Sequence, residues 1–188
     1  MNTKSTATEK LGTRVIIVGN TGAGKTTLAN ALAARLGVDH VELDALHWEP
    51  NWTPTERDAF RAKARAALSP SGWVADGNYR KVRDIVWSRA HTLVWLDYPL
   101  AVILWRLARR SLRRVTRQEK LWGHSQETWR GLFFSRDSLF LWALQKQWSR
   151  RREYRQLVAD PAYTHLAIYR FRHPRETARW LATLNKME

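Results

Sequence analysis

Short apolar runs alternate along the chain with stretches that have helical spacing. Five runs predict strands that are buried on both faces: 14–19, 40–44, 72–77, 91–97 and 164–171. Helical spacing and end signals predict helices over about 25–36, 53–68, 99–117, 126–158 and 174–185. Strands that alternate with helices indicate an α/β fold in three layers, with a parallel sheet covered by helices on both faces.

Several residues mark where the predicted helices begin, end or break. Gly37 is the predicted C-cap of the first helix, and Thr53 or Thr55 is the predicted N-cap of the second. The long stretch that follows the arginine-rich helix is predicted to break once, near Gly131 or Ser135.

The composition fits one folded domain with a strong positive charge. Residues 1–12 are predicted to be a flexible polar tail, and 13–188 a single domain. The net charge of +15 favours anionic partners, which include phosphometabolites, nucleic acid and acidic lipid. The chain has no cysteine, which excludes disulfides and thiolate metal sites. No signal peptide or apolar run of membrane-spanning length is present, so we expect a cytoplasmic protein.

The loop after the first strand carries the motif G-x-x-x-x-G-K-[ST], at Gly19, Gly24, Lys25 and Thr26. The glycines let the backbone turn so that its N–H groups face a polyphosphate, and the following helix adds the positive end of its dipole. Lys25 is predicted to reach the β- and γ-phosphates of ATP, and the Thr26 hydroxyl to bind Mg²⁺. The predicted ATP-binding residues of this P-loop are Gly19, Asn20, Thr21, Gly22, Ala23, Gly24, Lys25, Thr26 and Thr27.

Three acidic residues end predicted strands, at the edge where parallel sheets bind ligands. Asp76 is the predicted carboxylate beside Mg²⁺, and Asp44 is the predicted base or contact for an acceptor hydroxyl. A plain role in a turn or cap remains open for both. Asp97 is interpreted as an N-cap of the helix that follows it.

Aromatic residues surround the second strand end. His47 is either part of an acceptor site or a packed histidine. Trp48 and Trp52 either wall an aromatic substrate or pack in the core. The chain has 11 tryptophans, most of which we expect to serve packing.

The segments VIIVGNTGAGKTTLANALAARLG, ELDALHW, WVADGNYR, TLVWLDYP and RRREY together resemble the small adenylate-kinase-like P-loop kinases. LDALHWEPNW with DGNYR is similar to a branch labelled DNA topology modulation protein. The resemblance spans nearly the whole chain from about residue 13. It implies a five-stranded sheet in the order 2-3-1-4-5, a mobile lid over about 106–135, and an acceptor pocket after strand two.

The same resemblance assigns further residues. ADGNYR is similar to a segment of adenylate kinases that would place Asp76 near Mg²⁺ and Arg80 on the acceptor side, with Tyr79 beside it. Arg172, His173 and the proline after them would border the adenine of ATP. The usual AMP-site sequence after strand two is absent, so AMP is not the expected acceptor.

An arginine stripe runs along the helix predicted over 99–117. Arginine suits bidentate phosphate contact, and arginines that close over a γ-phosphate stabilise the charge of the transition state. The lid candidates are Arg106, Arg109, Arg110 and Arg113. A solvated basic face remains the alternative. In a second cluster, either Arg151 or Arg152 is the candidate phosphate contact; the cluster comprises Arg150, Arg151, Arg152 and Arg155.

Three functions are compatible with these patterns. The first is a Mg²⁺·ATP-dependent kinase for a small acceptor, such as a nucleotide or nucleoside, and it explains the P-loop, the carboxylates and the arginines together. The second is a nucleic-acid-associated ATP-binding protein, supported by charge and tryptophans but by no recognised motif. Membrane-surface binding through the basic helix ranks last, because its short apolar face is better used against the sheet.

Overall fold

Five parallel strands form the central sheet of the protein. The computed structural model describes residues 11–117 and 139–184, and the side chains of 11–109 and 147–184. The sheet strands are β1 (Arg14–Gly19), β2 (Asp39–Glu42), β5 (Trp73–Asp76), β6 (Thr92–Leu96) and β7 (Ala167–Phe171). Their order across the sheet is β2-β5-β1-β6-β7. Counted among the sheet strands alone, this is 2-3-1-4-5, which confirms the predicted fold.

Seven described helices surround the sheet. They are α1 (Lys25–Leu36), α2 (Leu43–His47), α3 (Arg57–Ala67), α4 (Arg83–Arg89), α5 (Leu100–Arg117), α6 (Leu139–Leu157) and α7 (Pro174–Thr183). Short 3₁₀ turns span 50–52, 80–82 and 161–163. Gly37 adopts φ 62° and closes α1 as its C-cap, as predicted.

The apolar runs are continuous because each sheet face packs against its own set of helices. In β1, Ile16 and Val18 belong to one buried cluster that includes Phe60 of α3. The alternate residue Ile17 belongs to a second cluster, with Leu32 of α1. Burial on both faces removes the polar alternation of a half-exposed strand, and the three layers follow.

The chain after β2 differs from its predicted course. β2 ends at Glu42, so Asp44 lies in the first turn of α2 rather than in the strand. A small antiparallel hairpin follows, from β3 (Trp48–Glu49) and β4 (Thr53–Pro54). α3 therefore begins at Arg57, four residues later than predicted.

The predicted threonine caps of α3 are wrong. Glu56 is the N-cap, and its carboxylate accepts hydrogen bonds from the backbone of Asp58 and Ala59. The Thr55 hydroxyl instead donates to the carbonyl of Leu46 at 3.2 Å.

The ends of the described chain bear on two further predictions. Leu11 is buried and its carbonyl accepts a hydrogen bond from the Thr92 hydroxyl, so packed structure begins inside the predicted tail. The part of the predicted lid after 117, and the predicted break near Gly131 or Ser135, lie outside the described residues. Over the described parts of the chain, no helix has the length and apolarity needed to cross a membrane.

Candidate active site

The P-loop connects the carboxyl end of β1 to the first turn of α1. Gly24 is the N-cap of α1 with φ 92°, in the left-handed region that favours glycine. A Cβ on Gly22 would lie 2.7 Å from Cγ of Leu107, so α5 lies directly against the loop. No side chain in the described chain caps α1, which leaves the N–H groups of its first turn for an anion such as phosphate.

Lys25 and the two threonines after it open α1. The Lys25 Nζ lies 3.4 Å from the carbonyl oxygen of Asn20. Thr26 is half-buried in the first turn, and Thr27 is exposed. These positions are those of a P-loop lysine and of a hydroxyl available to a metal ion.

A buried amide chain holds the P-loop to α6. The Asn20 Oδ1 accepts from the backbone N–H of Thr21 at 2.8 Å, and its Nδ2 donates to Oε1 of Gln147 at 2.7 Å. The Gln147 Nε2 donates in turn to the carbonyl of Tyr98 at 3.0 Å. The side-chain amides of Asn20 and Gln147 are thus joined in one series of hydrogen bonds, which fixes the loop against the helix.

Asn78 fixes the other end of the loop. Its Oδ1 accepts from the backbone N–H of Gly19 at 3.2 Å, and its Nδ2 donates to the Gly19 carbonyl at 2.7 Å. The hydroxyl of Tyr154, in α6, donates to the same Oδ1 at 2.8 Å. Asn78 thus joins β1, the segment after β5 and α6.

Asp76 and Glu42 lie side by side at the carboxyl ends of β5 and β2, where the strand register pairs them. The Asp76 side chain is 1% exposed, and its Oδ2 lies 3.0 Å from Nε2 of His40. Burial raises the pKa of Glu42, and repulsion from Asp76 and Asp44 adds to the shift, whereas the positive charge of Lys25 opposes it.

This pair fits a Mg²⁺ site. Two carboxylates that repel one another are stabilised by a divalent cation, and hard oxygen ligands are those that Mg²⁺ prefers. In the described ranges no three His, Asp or Glu side chains form a closed cage. Mg²⁺ in kinases typically has one or two protein carboxylates and completes its shell with water and substrate phosphates.

Asp44, Tyr79 and Trp48 lie near one another after β2. Burial raises the pKa of Tyr79 far above its ordinary value, and the neighbouring Asp44 carboxylate adds to the shift, so the phenol stays neutral. Asp44 is exposed. An exposed carboxylate beside a neutral phenol can accept the proton of a hydroxyl.

His47 packs at the centre of an aromatic cluster. It is 7% exposed, and its ring centroid lies 4.6 Å from Tyr79, 4.9 Å from Trp48 and 4.9 Å from Phe60. Burial lowers the pKa of His47, which favours the neutral ring. The structure therefore places this predicted acceptor contact behind Tyr79, as a packing group.

Arg106 is the lid candidate that lies against the P-loop. Its Nη1 donates to the Ala23 carbonyl at 2.6 Å and would lie 3.0 Å from a Cβ on Gly24. Its guanidinium stacks over the ring of Tyr98 at 5.3 Å.

The other lid candidates are placed less closely or not at all. The Arg109 guanidinium lies over the ring of Trp105 at 5.4 Å, on the same helix. Arg110 and Arg113 belong to α5, but their side chains lie outside the described ones.

Asp97 forms a buried charge cluster with two arginines, so its interpretation as a helix cap is wrong. Its side chain is 2% exposed and accepts from Nε of Arg151 at 2.5 Å. Arg170 donates to the other carboxylate oxygen and stacks over Trp95 at 4.3 Å. α5 begins three residues later, at Leu100. The guanidinium of Arg151, a predicted phosphate contact, is thus engaged by Asp97.

Arg150 is the arginine of the second cluster that lies toward the acceptor side. Burial lowers its pKa, and the charges of Glu153 and Asp44 oppose that effect. Arg152 is exposed.

Arg80 and Arg172 lie at the margins of the site. Arg80 makes a bidentate pair with Glu153, at 2.8 Å and 2.6 Å, and its side chain is 73% exposed. Arg83 binds the same carboxylate at 2.5 Å. Arg172 is exposed, and its backbone N–H donates to the Glu176 carboxylate that also forms the capping box of α7.

Sequence reasoning missed four residues of this site. Glu42 and Asn78 each stand within two residues of a predicted carboxylate, so distance along the chain was an available signal. Arg150 belongs to the second arginine cluster, but the sequence favoured Arg151 or Arg152 there. Gln147 depends on the packing of α6 and gave no signal in the sequence.

Comparisons with known proteins agree with this geometry. The profile of the ATPase family associated with various cellular activities (AAA) matches residues 15–89. A shikimate kinase from Thermosynechococcus vestitus is 32% identical over 124 residues, which cover 58% of this chain and 68% of that protein.

Two solved structures show the same fold across nearly the whole chain. Shikimate kinase from Acinetobacter baumannii, in complex with shikimate, has a TM-score of 0.55 at 20% identity and covers 95% of this chain and 97% of its own. A gluconokinase from Sinorhizobium meliloti has a TM-score of 0.51 at 21% identity and covers 95% and 94%. Each resembles this chain in its fold alone.

The P-loop with its adjoining carboxylates, the strand order and the extent of the match to a shikimate kinase agree with one another. The protein is an ATP-dependent small-molecule phosphotransferase that uses Mg²⁺, and the chain belongs to the family of small P-loop kinases that includes shikimate kinase.

Proposed function

We propose that the protein transfers the γ-phosphoryl group of ATP to a hydroxyl of a nucleoside or nucleotide, with Asp44 as the base. The observation that carries this proposal is the exposed carboxylate of Asp44, which lies just beyond the end of β2 and beside the neutral phenol of Tyr79. It gives the P-loop a partner site in which a hydroxyl can be oriented and deprotonated.

On the donor side, the P-loop amides and Lys25 bind the β- and γ-phosphates. Thr26, Asp76 and Glu42 are the residues that would hold Mg²⁺, which would neutralise phosphate charge when bound. Arg106 is positioned to stabilise charge on the transferring group. Arg109, Arg110 and Arg113 of the same helix are further candidates for this role. Arg151 stabilises this part of the site through its ion pair with Asp97.

On the acceptor side, Asp44 accepts the proton of the acceptor hydroxyl as its oxygen bonds to the γ-phosphorus. The bond from the γ-phosphorus to the bridging oxygen breaks, and ADP leaves with that electron pair. Tyr79 orients Asp44, while Trp48 and His47 hold Tyr79. Arg150 supplies positive charge that suits a phosphate on a nucleotide acceptor, and Arg80 stabilises the adjoining segment through Glu153.

The relatives named above act on shikimate and gluconate, so both compounds belong among the test acceptors. The alternative of a nucleic-acid-associated ATPase lacks support for its nucleic-acid partner, because the relatives named above are small-molecule kinases. The exposed arginines and lysines are sufficiently explained as a surface that attracts anionic substrates.

The test is phosphoryl transfer from γ-³²P-labelled ATP with Mg²⁺. The acceptors are nucleosides, nucleoside monophosphates, shikimate, gluconate and a cell-metabolite extract. We expect a labelled nucleotide product from the wild type, none from Lys25→Ala, and wild-type yield from Asp84→Asn, whose carboxylate is 62% exposed and pairs with Arg61. Transfer only to shikimate or gluconate would overturn the proposed acceptor class, and release of phosphate alone would overturn acceptor phosphorylation.

A further inference from the structure

We propose that Trp52 and Trp48, on the β3–β4 hairpin, form a stacking subsite for the heteroaromatic ring of the acceptor. The proposal rests on the proposed function and names the feature by which the site selects its substrate. A nucleoside has such a ring beside its hydroxyl-bearing sugar, whereas shikimate and gluconate do not.

The two indoles offer aromatic surface to solvent next to the acceptor site. Trp52 is 66% exposed and Trp48 is 40% exposed, both unusual for so large an apolar side chain. Their ring centroids lie 5.8 Å apart with an interplanar angle of 71°. Two indoles at this angle form a corner, in which a planar ring can stack on one face and meet the other edge-on.

The hairpin is rigid although its indoles are exposed. The Thr55 N–H donates to the His47 carbonyl at 2.7 Å, and Lys63 of α3 pairs with Glu49 at 3.2 Å. The Trp48 ring also packs against His47 at 4.9 Å. A stacking surface held in this way loses little conformational entropy on binding.

The tip of the hairpin holds Trp52 in a strained conformation. Asn51 has φ 62° and Trp52 has φ 58°. Asparagine adopts this left-handed region readily, but a bulky residue does so rarely and at a free-energy cost. The chain thus maintains a strained backbone at the position that presents the most exposed indole of the hairpin.

The hairpin is joined to the catalytic carboxylate through side chains. The Trp48 ring contacts His47 at 4.9 Å, and His47 contacts Tyr79 at 4.6 Å. The Tyr79 phenol in turn lies beside Asp44. A ring held at Trp52 and a hydroxyl held at Asp44 are therefore placed relative to one another by a single series of contacts. This is the arrangement that a nucleoside, with base and hydroxyl on one rigid sugar, would use.

The test measures binding separately from turnover. A non-hydrolysable ATP analogue with Mg²⁺ first fills the donor site, so that added nucleosides bind only elsewhere. Calorimetric titrations with adenosine, guanosine, cytidine, thymidine and free ribose are then compared among the wild type, Trp52→Phe, Trp52→Ala and Trp148→Ala. Trp148 is 67% exposed and serves as the matched control.

We expect at least one nucleoside to bind at least 10-fold more tightly than ribose. Trp52→Ala should weaken that nucleoside by about 5- to 100-fold, the range for removal of one stacking aromatic, and should leave ribose within twofold. Trp52→Phe should retain most of the affinity, and Trp148→Ala all of it. Because Trp52 is exposed and alanine keeps the same backbone conformation, Trp52→Ala should fold about as stably as the wild type.

The inference is overturned if no nucleoside binds more tightly than ribose, or if Trp52→Ala leaves nucleoside affinity unchanged. If the wild type binds no nucleoside and transfers phosphate to none of the acceptors, the proposed function is contradicted as well. Phosphorylation of a nucleoside with unchanged kinetics in Trp52→Ala would contradict the stacking subsite alone, and would leave the exposed indoles to contact another protein.

Discussion

Asn78 binds both backbone polar groups of Gly19, at the point where β1 becomes the P-loop. Its amide accepts from the Gly19 N–H at 3.2 Å and donates to the Gly19 carbonyl at 2.7 Å. A single side chain, from a segment 59 residues away, therefore sets where the phosphate-binding loop begins.

Asn78→Ala should weaken ATP binding and destabilise the fold. The Gly19 N–H and carbonyl would lose their partners, which costs about 1–3 kcal/mol per buried group. We expect the Kd for ATP to rise at least 10-fold in fluorescence titrations and the urea midpoint to fall. Tyr154→Phe removes only the third contact of Asn78 and should have a smaller effect on both. Wild-type ATP affinity in Asn78→Ala would show that the loop holds its shape unaided.

Asp97→Asn should be strongly destabilising. It leaves Arg151 and Arg170 near a neutral group in a largely buried cluster, and breaking such a cluster costs about 3 kcal/mol or more. Asp84→Asn is the matched control, because the Asp84 carboxylate that pairs with Arg61 is 62% exposed. Its loss should cost at most about 1 kcal/mol. Urea unfolding measures the free energy of unfolding of both variants. Equal decreases in the two variants would contradict a stabilising role for the charge cluster around Asp97.

Glu42→Gln should stabilise the unliganded protein near neutral pH. The folded-state pKa of Glu42 is raised above its ordinary value near 4.5, so the folded state binds the proton more tightly than the unfolded state. Stability that is present below pH 4.5 is therefore lost as pH rises through the folded-state pKa. The variant has no titrating group at this position, so its stability does not decrease in this way. Thermal unfolding from pH 4 to 8 should show that the stability of the variant relative to the wild type increases with pH. A difference in stability that stays constant over this range would contradict the prediction.

Asp44→Asn should reduce kcat by about 100- to 10,000-fold, the range for loss of a general base. KM for ATP should stay within twofold, because the P-loop is untouched. Tyr79→Phe keeps the ring and removes the hydroxyl beside Asp44, so we expect a smaller reduction of about 10-fold. Asp39→Asn, at the opposite end of β2, is the control and should match the wild type in steady-state assays. A kcat for Asp44→Asn near the wild-type value would exclude Asp44 as the base.

The sequence was sufficient where local pattern decides structure. The sheet strands are continuous apolar runs because both faces are covered, and the P-loop motif specifies its own turn and helix. Gly37 ended α1 as predicted because a left-handed C-cap is a local preference.

The sequence was insufficient where contacts join distant segments. Asp97 precedes a helix and has the appearance of a cap, but arginines 54 and 73 residues away bind it. The Thr55 hydroxyl binds Leu46, so Glu56 caps α3 instead. The raised pKa of Glu42 follows first from its burial and then from strand register, which sets Asp76 beside it.

α6 touches both halves of the site within a few residues. Gln147 holds the P-loop through Asn20, while Glu153 holds Arg80 and Tyr154 holds Asn78. A shift of this helix that improves the fit of one substrate also repositions the groups that meet the other. The two substrates should consequently show synergy, each lowering the dissociation constant of the other, and thermodynamic linkage requires the two factors to be equal.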